Sequence, residues 1–342
     1  MHAYVLHGKE DLRGETRDEP IPGDDDVLLE IRRIGICGSD VHYYNHFRIG
    51  EFVPQAPLVL GHEFAGEVVE TGKGVERLAV GDRVTAEPSI PCRHCRYCVA
   101  GRYNLCERLR FIGTAATVPH IDGAFAERVV VPASQCIRLS RSLSYAAGAL
   151  VEPMAVGMHA VMRAGQVVGR RVLITGGGTI GQTVLSSLTT SGAVDVTVAD
   201  PSMFAREFSE EHGAAAVFDP TDEDERTSVL QQPFDLLFEC SGAPAGLELC
   251  HHASARGATI VQVGTQGPSV TLPVNLVMSR ELSVLGSFRY AHDFPSVVGL
   301  MEAGHIAVDD FVSATYPFEN LPEAVRRATE GRDVIKVQVS RE

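Results

Sequence analysis

Arg171-Val172-Leu173-Ile174-Thr175-Gly176-Gly177-Gly178-Thr179-Ile180-Gly181 is the stretch whose reading decides the fold. An apolar run ends in glycines spaced G-x-G-x-x-G, and the stretch that follows, 180–190, reads as a helix. The next apolar run, 194–199, is closed by Asp200. In a strand–turn–helix unit such glycines let the backbone approach a pyrophosphate, which sits on the helix N-terminus. An acid at the end of the second strand accepts hydrogen bonds from the adenosine ribose and repels a 2′-phosphate, favouring NAD over NADP. Glycines also mark plain turns, so the fingerprint by itself is weak; strand, helix and acid in the right order give it weight. The expected nucleotide contacts are Gly176, Gly178, Thr179, Ile180, Gly181 and Asp200.

Further along, apolar runs at 234–239 and 259–263 continue the alternation of strand and helix. That alternation predicts an α/β fold with a doubly wound parallel sheet. Upstream, to about Ala149, short Val/Ile/Leu runs such as 27–31, 67–70 and 127–131 are broken by Gly and Pro and read as a mainly β domain. Past Gly286 come a helical piece, 294–303, and short strands to Val339. No internal repeat, low-complexity tract or long linker interrupts the chain. Its 342 residues exceed one ordinary core and suggest two domains.

Four of the eight cysteines fall within 15 residues: Cys92, Cys95, Cys98 and Cys106, spaced C-x2-C-x2-C-x7-C. So tight a loop lets four sulfurs converge on one tetrahedral ion, which leaves no open position and makes a structural zinc site. Arg93, Arg96, Arg102 and Arg108 flank the loop and would favour thiolates. The competing readings are four reduced thiols or an iron–sulfur cluster. His94 lies among the ligands, but four cysteines already fill the shell.

A second constellation is looser. Cys37 lies in a Gly-rich turn, 35–42; His62 and Glu63 lie in another, 61–66; Glu152 comes near the change from β to α/β character. One thiolate, one imidazole and carboxylates suit zinc with an open position. Taken singly, a turn cysteine is a small buried hydrophobe and a His-Glu pair is surface. The combination with the tetrad and the dinucleotide signature carries the metal reading.

Composition sets the bounds. Hydrophobic residues make 44% of the chain and charged residues 22%, which is globular usage. A net charge of −14 repels phosphate backbones and anionic lipid, which argues against nucleic-acid and membrane partners. The start, 1–8, lacks the pattern of a signal peptide, and no apolar run reaches membrane-spanning length, so the expected compartment is the cytoplasm.

Together these residues resemble the zinc-containing medium-chain alcohol dehydrogenase family, over nearly the whole chain, and within it the sorbitol dehydrogenase branch. The stretches carrying the nearer match are 37–44, 57–63, 110–115, 119–123 and 286–290. The resemblance implies a GroES-like catalytic domain, 1–154, an inserted Rossmann domain, 155–287, and a return to the catalytic domain, 288–342. It implies a catalytic zinc on Cys37, His62 and Glu63, with Glu152 binding the ion directly or through its water. Asp40 would orient His62, and Ser39 and His42 would relay a proton. Tyr43, Phe52, Arg110, Phe111, Arg289 and Tyr290 would line the substrate pocket. Cys240, Val263, Gly264, Ser287 and Phe288 would stand around the nicotinamide. Members of this branch are usually tetramers, so a homotetramer or homodimer is expected. Many polyol dehydrogenases carry an arginine five positions after the ribose acid; here that position is Ala205 and the arginine is Arg206, swung by about 100° on a helix. The strength with which NADP is excluded is left open by that shift.

The reaction this implies is oxidation of a secondary alcohol in a small sugar acid or polyol. The hydroxyl gives up its proton at the open metal position, the proton leaves through Ser39 and His42, and hydride passes to NAD(P). Arg289 and Arg110 are candidates to hold a sugar-acid carboxylate; the plainer reading is that Arg289 anchors hydroxyls and Arg110 is a surface charge. A zinc-free quinone reductase would lack Cys37, His62 and the tetrad. A threonine or aryl-alcohol dehydrogenase would share the metals but not the pocket, and a non-catalytic structural protein on the same fold would bind neither metal nor nucleotide. The remaining histidines, the thiols Cys136, Cys240 and Cys250, and the acidic run 222–225 read as packing, reduced thiols and a solvated loop.

Overall fold

In the computed structural model, which describes residues 1–267, 269–331 and 333–342, the strand Arg171–Thr175 sends alternate side chains into two cores. Val172 and Ile174 pack with Val184, Leu185, Leu188, Val196, Val198 and Phe238. Leu173 packs on the other side with Phe218, Leu237, Leu249 and Ile260. A strand covered on both faces must be apolar at every position, which is why 171–175 reads as a run and not as an alternation. Its sheet has six parallel strands in the order Ala216–Phe218, Asp195–Ala199, Arg171–Thr175, Phe234–Glu239, Ser254–Gln262, Ser283–Gly286. This is the doubly wound order expected of a dinucleotide fold.

The chain divides into two units. The sheet just described belongs to the unit Pro153–Asp293 with Arg332–Ile335; the other comprises Met1–Glu152, Phe294–Gly331 and Lys336–Glu342. The second is mainly β. Its largest sheet runs Cys136–Arg138, Arg83–Ala86, Glu63–Thr71, Asp26–Gly35, Lys336–Ser340, Val312–Pro317, with Arg128–Pro132 also paired to Asp26–Gly35. Lys336–Ser340 is antiparallel to Asp26–Gly35, so the chain's last strand is built into a sheet begun at its start. A smaller sheet joins His2–Gly8 to Asp11–Thr16 and Leu58–Val59.

Three local expectations change. The turn expected at Cys37 is the start of a helix, Gly38–His46. Cys37 is its N-cap, and Asp40 reaches back to accept the Cys37 N–H at 2.9 Å, so a carboxylate replaces the turn's missing hydrogen bonds. The acidic run expected as a loop is also helical: Asp222 caps Glu223–Val229, accepting from the N–H groups of Asp224 and Glu225. Acids in a first turn suit the helix dipole. The helix Leu321–Glu330 was hidden by Pro322, a residue that breaks helices inside but is tolerated in the first turn, where it stands here.

Candidate functional site

The helix Gly38–His46 and the strand Glu63–Thr71 bring Cys37, His62 and Glu63 together, with one donor atom from each within 4.8 Å of the others. Glu63 faces Gly35 in the antiparallel register, and a Cβ on Gly35 would collide with the Glu63 carboxylate. His62 is buried; its Nε2 lies toward Ser39 Oγ at 3.5 Å, and its Nδ1 stands 3.7 Å from Asp40 Oδ1. That distance is too long for a hydrogen bond, so two buried polar atoms face each other unsatisfied. Burial pulls the His62 pKa down, but Asp40 and Cys37 outweigh it and raise it to about 10. Burial pushes the fully buried Asp40 up. An imidazole held between a carboxylate and a thiolate is a cation site, and a metal on Nε2 would leave Nδ1–H to Asp40. The donor set therefore fits zinc. Glu152 opens the helix Val151–Ala164, is buried, and adds its charge to His62. It lies outside the 4.8 Å set.

One charged neighbour was not anticipated. Lys336, 3% exposed, donates to both carboxylate oxygens of Glu63 at 2.8 Å and to Ile36 O at 3.1 Å. Burial lowers its pKa, but Glu63 and then Cys37 more than compensate, leaving it raised. A lysine inside a run of valines and isoleucines was the available signal; its partner, 273 positions away, was not readable.

Ser39 is half-buried and His42 exposed, one turn apart on the same helix. Burial and then the neighbouring His46 hold His42 below its ordinary value. Of the expected pocket residues in this unit, Phe111 lies edge-on to the His62 ring at 5.7 Å between centroids. Its strand neighbour Arg110 is exposed, as the alternation of a strand requires. Tyr43 is buried, its hydroxyl accepting from Ala115 N at 3.2 Å, and Phe52 is 44% exposed. In the other unit Arg289, at φ +54°, lies 4.8 Å over the Phe288 ring, and Tyr290 is buried.

Cys92, Cys95, Cys98 and Cys106 converge within the same 4.8 Å limit. Backbone N–H groups point at the sulfurs: Cys92 N and Arg108 N at Cys106 Sγ, both 3.3 Å, and Cys95 N at Cys92 Sγ, 3.4 Å. The N–H groups of Cys98 and Glu107 draw Cys95 down to about 6, while burial and neighbouring thiols push Cys98 up to about 12. Four thiolates so crowded need a cation among them. Three of the four flanking arginines have side-chain partners outside the tetrad. Arg93 donates to Gln135, Arg96 pairs with Glu107, and Arg108 reaches His94.

In the parallel-sheet unit, Gly176 has φ +92°, and a Cβ on Gly181 would collide with the Gly176 carbonyl oxygen. Gly178 begins the helix Thr179–Thr190 without a side-chain cap, which leaves the first-turn N–H groups to an anion. Asp200 accepts from Gly177 N and Ser202 N, each at 2.7 Å, and lines a cavity of about 560 Å³ with Gly176, Pro201, Thr221 and Ser241. This cradle fits a dinucleotide. Cys240, Val263 and Gly264 sit on two loops gathered by Glu239, a buried carboxylate that sequence reading passed over. It accepts from Ser241 N (2.8 Å), Gly242 N (3.0 Å), Gln262 Nε2 (2.5 Å) and Gln266 Nε2 (2.9 Å). Ser287 N donates to Gln262 O at 2.9 Å, and Phe288 is 48% exposed.

Residues 23–141 match the alcohol dehydrogenase GroES-like domain family, and 179–303 match the zinc-binding dehydrogenase family. L-idonate 5-dehydrogenase (NAD(P)(+)) of Escherichia coli K12 is 37% identical over 314 residues, covering 92% of this chain and 91% of that protein. Sorbitol dehydrogenase of Gallus gallus is 37% identical over 338 residues, covering 97% and 94%. The crystal structure of the Escherichia coli L-idonate 5-dehydrogenase superposes with a TM-score of 0.92 at 35% identity, over 99% of this chain and 97% of that one.

Proposed function

This chain belongs to the zinc-dependent medium-chain alcohol dehydrogenases of the polyol group, using NAD(P), and from that premise we propose that it oxidises a secondary alcohol of a sugar acid, as an L-idonate 5-dehydrogenase. The observation that carries the chemistry is the convergence of the half-buried Cys37 with the buried His62 and Glu63, beside Asp40.

Zinc, when bound there, supplies Lewis acidity that makes an alcohol a far stronger acid. The nicotinamide supplies the hydride acceptor. The chain does the rest. Cys37, His62 and Glu63 would hold the ion, and Glu152, buried at the start of its helix, adds negative charge to the site. Asp40, 3.7 Å from His62 Nδ1, would set the tautomer and direction of that ring once the metal occupies Nε2. Ser39 takes the substrate hydroxyl proton and passes it along one helical turn to His42, whose exposed ring delivers it to water. Phe111 gives the site an apolar wall beside His62. Cys92, Cys95, Cys98 and Cys106 would hold a second, structural zinc.

Sugar acids and neutral polyols differ by one carboxylate, and Arg289 supports the acid reading because a guanidinium matches a carboxylate in two parallel hydrogen bonds. Turnover of L-idonate, L-gulonate, sorbitol and xylitol by the wild type and Arg289→Ala tests it. The acids should lose catalytic efficiency selectively; equal loss on acids and neutral polyols would refute it. Cys37→Ala should lose turnover and one zinc equivalent while the tetrad stays loaded. Unchanged turnover would dispose of the scheme.

A homodimer is supported by the strand Ser283–Gly286, which lies at a sheet edge with Val284 40% exposed and Met278, 70% exposed, on the helix Val274–Arg280 that precedes it. Edge strands left apolar invite pairing with another chain. Val284→Lys should shift sedimentation toward monomer; an unaltered assembly would exclude that edge.

A further inference from the structure

NAD and NADP differ only in a phosphate on the adenosine ribose, and four side chains at the nucleotide end of the parallel sheet bear on that difference. Arg206, on the helix Met203–Glu211, has one nitrogen fully occupied. Its Nη1 donates to Asp200 O at 2.7 Å, to Pro201 O at 3.0 Å and to Asp219 Oδ2 at 3.0 Å. Asp219 follows the strand Ala216–Phe218, the parallel neighbour of Asp195–Ala199, whose end carries Asp200. Two carboxylates thus stand at adjacent strand ends.

Asp219 is not free to swing away. Its Oδ1 accepts from Thr221 N at 2.9 Å and Thr221 Oγ1 at 2.6 Å, and its N–H donates to Glu225 Oε2 at 2.8 Å. The Thr221 bonds, and then Arg206, hold its carboxyl below the usual range, so it is ionised at neutral pH. Thr221, two residues on, lines the same cavity as Asp200. A phosphate there carries about two negative charges and needs an arginine whose donors turn to it. Nε and Nη2 keep their donors, but the three Nη1 bonds fix the direction of the planar fork, so to turn it onto a 2′-phosphate Arg206 would have to give up a charge-assisted bond and leave Asp219 uncompensated.

We propose that Asp219 is a specificity-determining residue: by holding Arg206 in an ion pair it withholds that guanidinium from a ribose 2′-phosphate and makes the site selective for NAD. The role is distinct from that of Asp200, which meets the ribose itself. It also gives a consequence to the displacement of the arginine from 205 to 206, since from 206 the side chain reaches Asp219. The inference rests on the dinucleotide reading of this unit.

The test is direct binding of NADH and NADPH, read by cofactor fluorescence, to the zinc-loaded wild type, Asp219→Asn, Asp219→Ala and the double variant Asp219→Ala/Arg206→Ala. The wild type should favour NADH. Asp219→Ala should improve NADPH affinity relative to NADH by about tenfold, the scale of one additional charge-assisted hydrogen bond. Asp219→Asn, whose single amide oxygen still accepts from Thr221 and so preserves the local turn while its NH2 replaces the oxygen that held Arg206, should move the ratio in the same direction. The double variant should return toward the wild-type ratio, because the improvement needs Arg206. A wild type that binds NADPH as tightly as NADH would overturn the proposal, as would single variants that bind NADH with the ratio unmoved. Absence of NADH binding by the wild type would instead sink the nucleotide reading on which it rests.

Discussion

Lys336 and Glu63 share a buried ion pair whose worth depends on what else touches Glu63. Removing one partner of such a pair leaves an uncompensated charge and costs about 3–5 kcal/mol. In Lys336→Met, zinc on Glu63 would replace the missing cation. The loss of stability should therefore be larger in chelator-treated than in zinc-loaded protein, as measured by guanidinium unfolding of wild type and variant in both states. Equal losses would mean that Glu63 does not meet the metal. A second residue-scale consequence concerns His42. A relay base must be neutral, and burial with the charge of His46 holds the His42 pKa below its ordinary value, which keeps the ring neutral over a wider range of pH. His46→Gln removes that repulsion, so the His42 pKa rises and the acid limb of kcat/KM moves to higher pH. A limb that stays put would take His42 out of the relay. Cys37, His62 and the tetrad were legible in sequence because each combines a rare residue type with a tell-tale spacing. Lys336, Glu239 and Asp219 were not, because lysines and acids are common and their roles depend on partners brought by folding.

At the scale of elements, the glycine-rich turn and the helix Thr179–Thr190 form one device. The helix start is uncapped, and its approach to the strand leaves no room for a side chain at Gly181. Gly181→Ala should force the turn apart and weaken NADH binding about tenfold or more, with both zinc equivalents retained. Loss of zinc along with NADH would point to general unfolding. The strands of this unit were readable because burial on both faces makes them continuous apolar runs. The helix Gly38–His46 was not, because its apolar periodicity is weak and its first turn is set by the Cys37–Asp40 capping interaction. The same bond that hides the helix from a periodicity reading aims Cys37 and Asp40 at His62.

For the whole molecule, the proposed metal ligands all belong to one unit and the proposed pyrophosphate and ribose contacts to the other. Two cores need not unfold in one step. Calorimetry should show NADH at about 100 times its Kd stabilising one transition by about 2.7 kcal/mol, and a chelator lowering the other. Equal movement of both would show that the units unfold together. Among the described residues, no helix is long and apolar enough to cross a membrane.

By itself the sequence determined the class of chemistry: a glycine turn between strand and helix, a four-cysteine loop, and a cysteine and histidine in glycine-rich surroundings. These are short-range patterns, in which covalent spacing already fixes what can converge. Only the tertiary structure decided which charges meet. It put Lys336 on Glu63, Asp219 on Arg206 and Glu239 beneath two loops, because an ion pair depends on distance in space, and strand order brings together residues that chain order keeps apart.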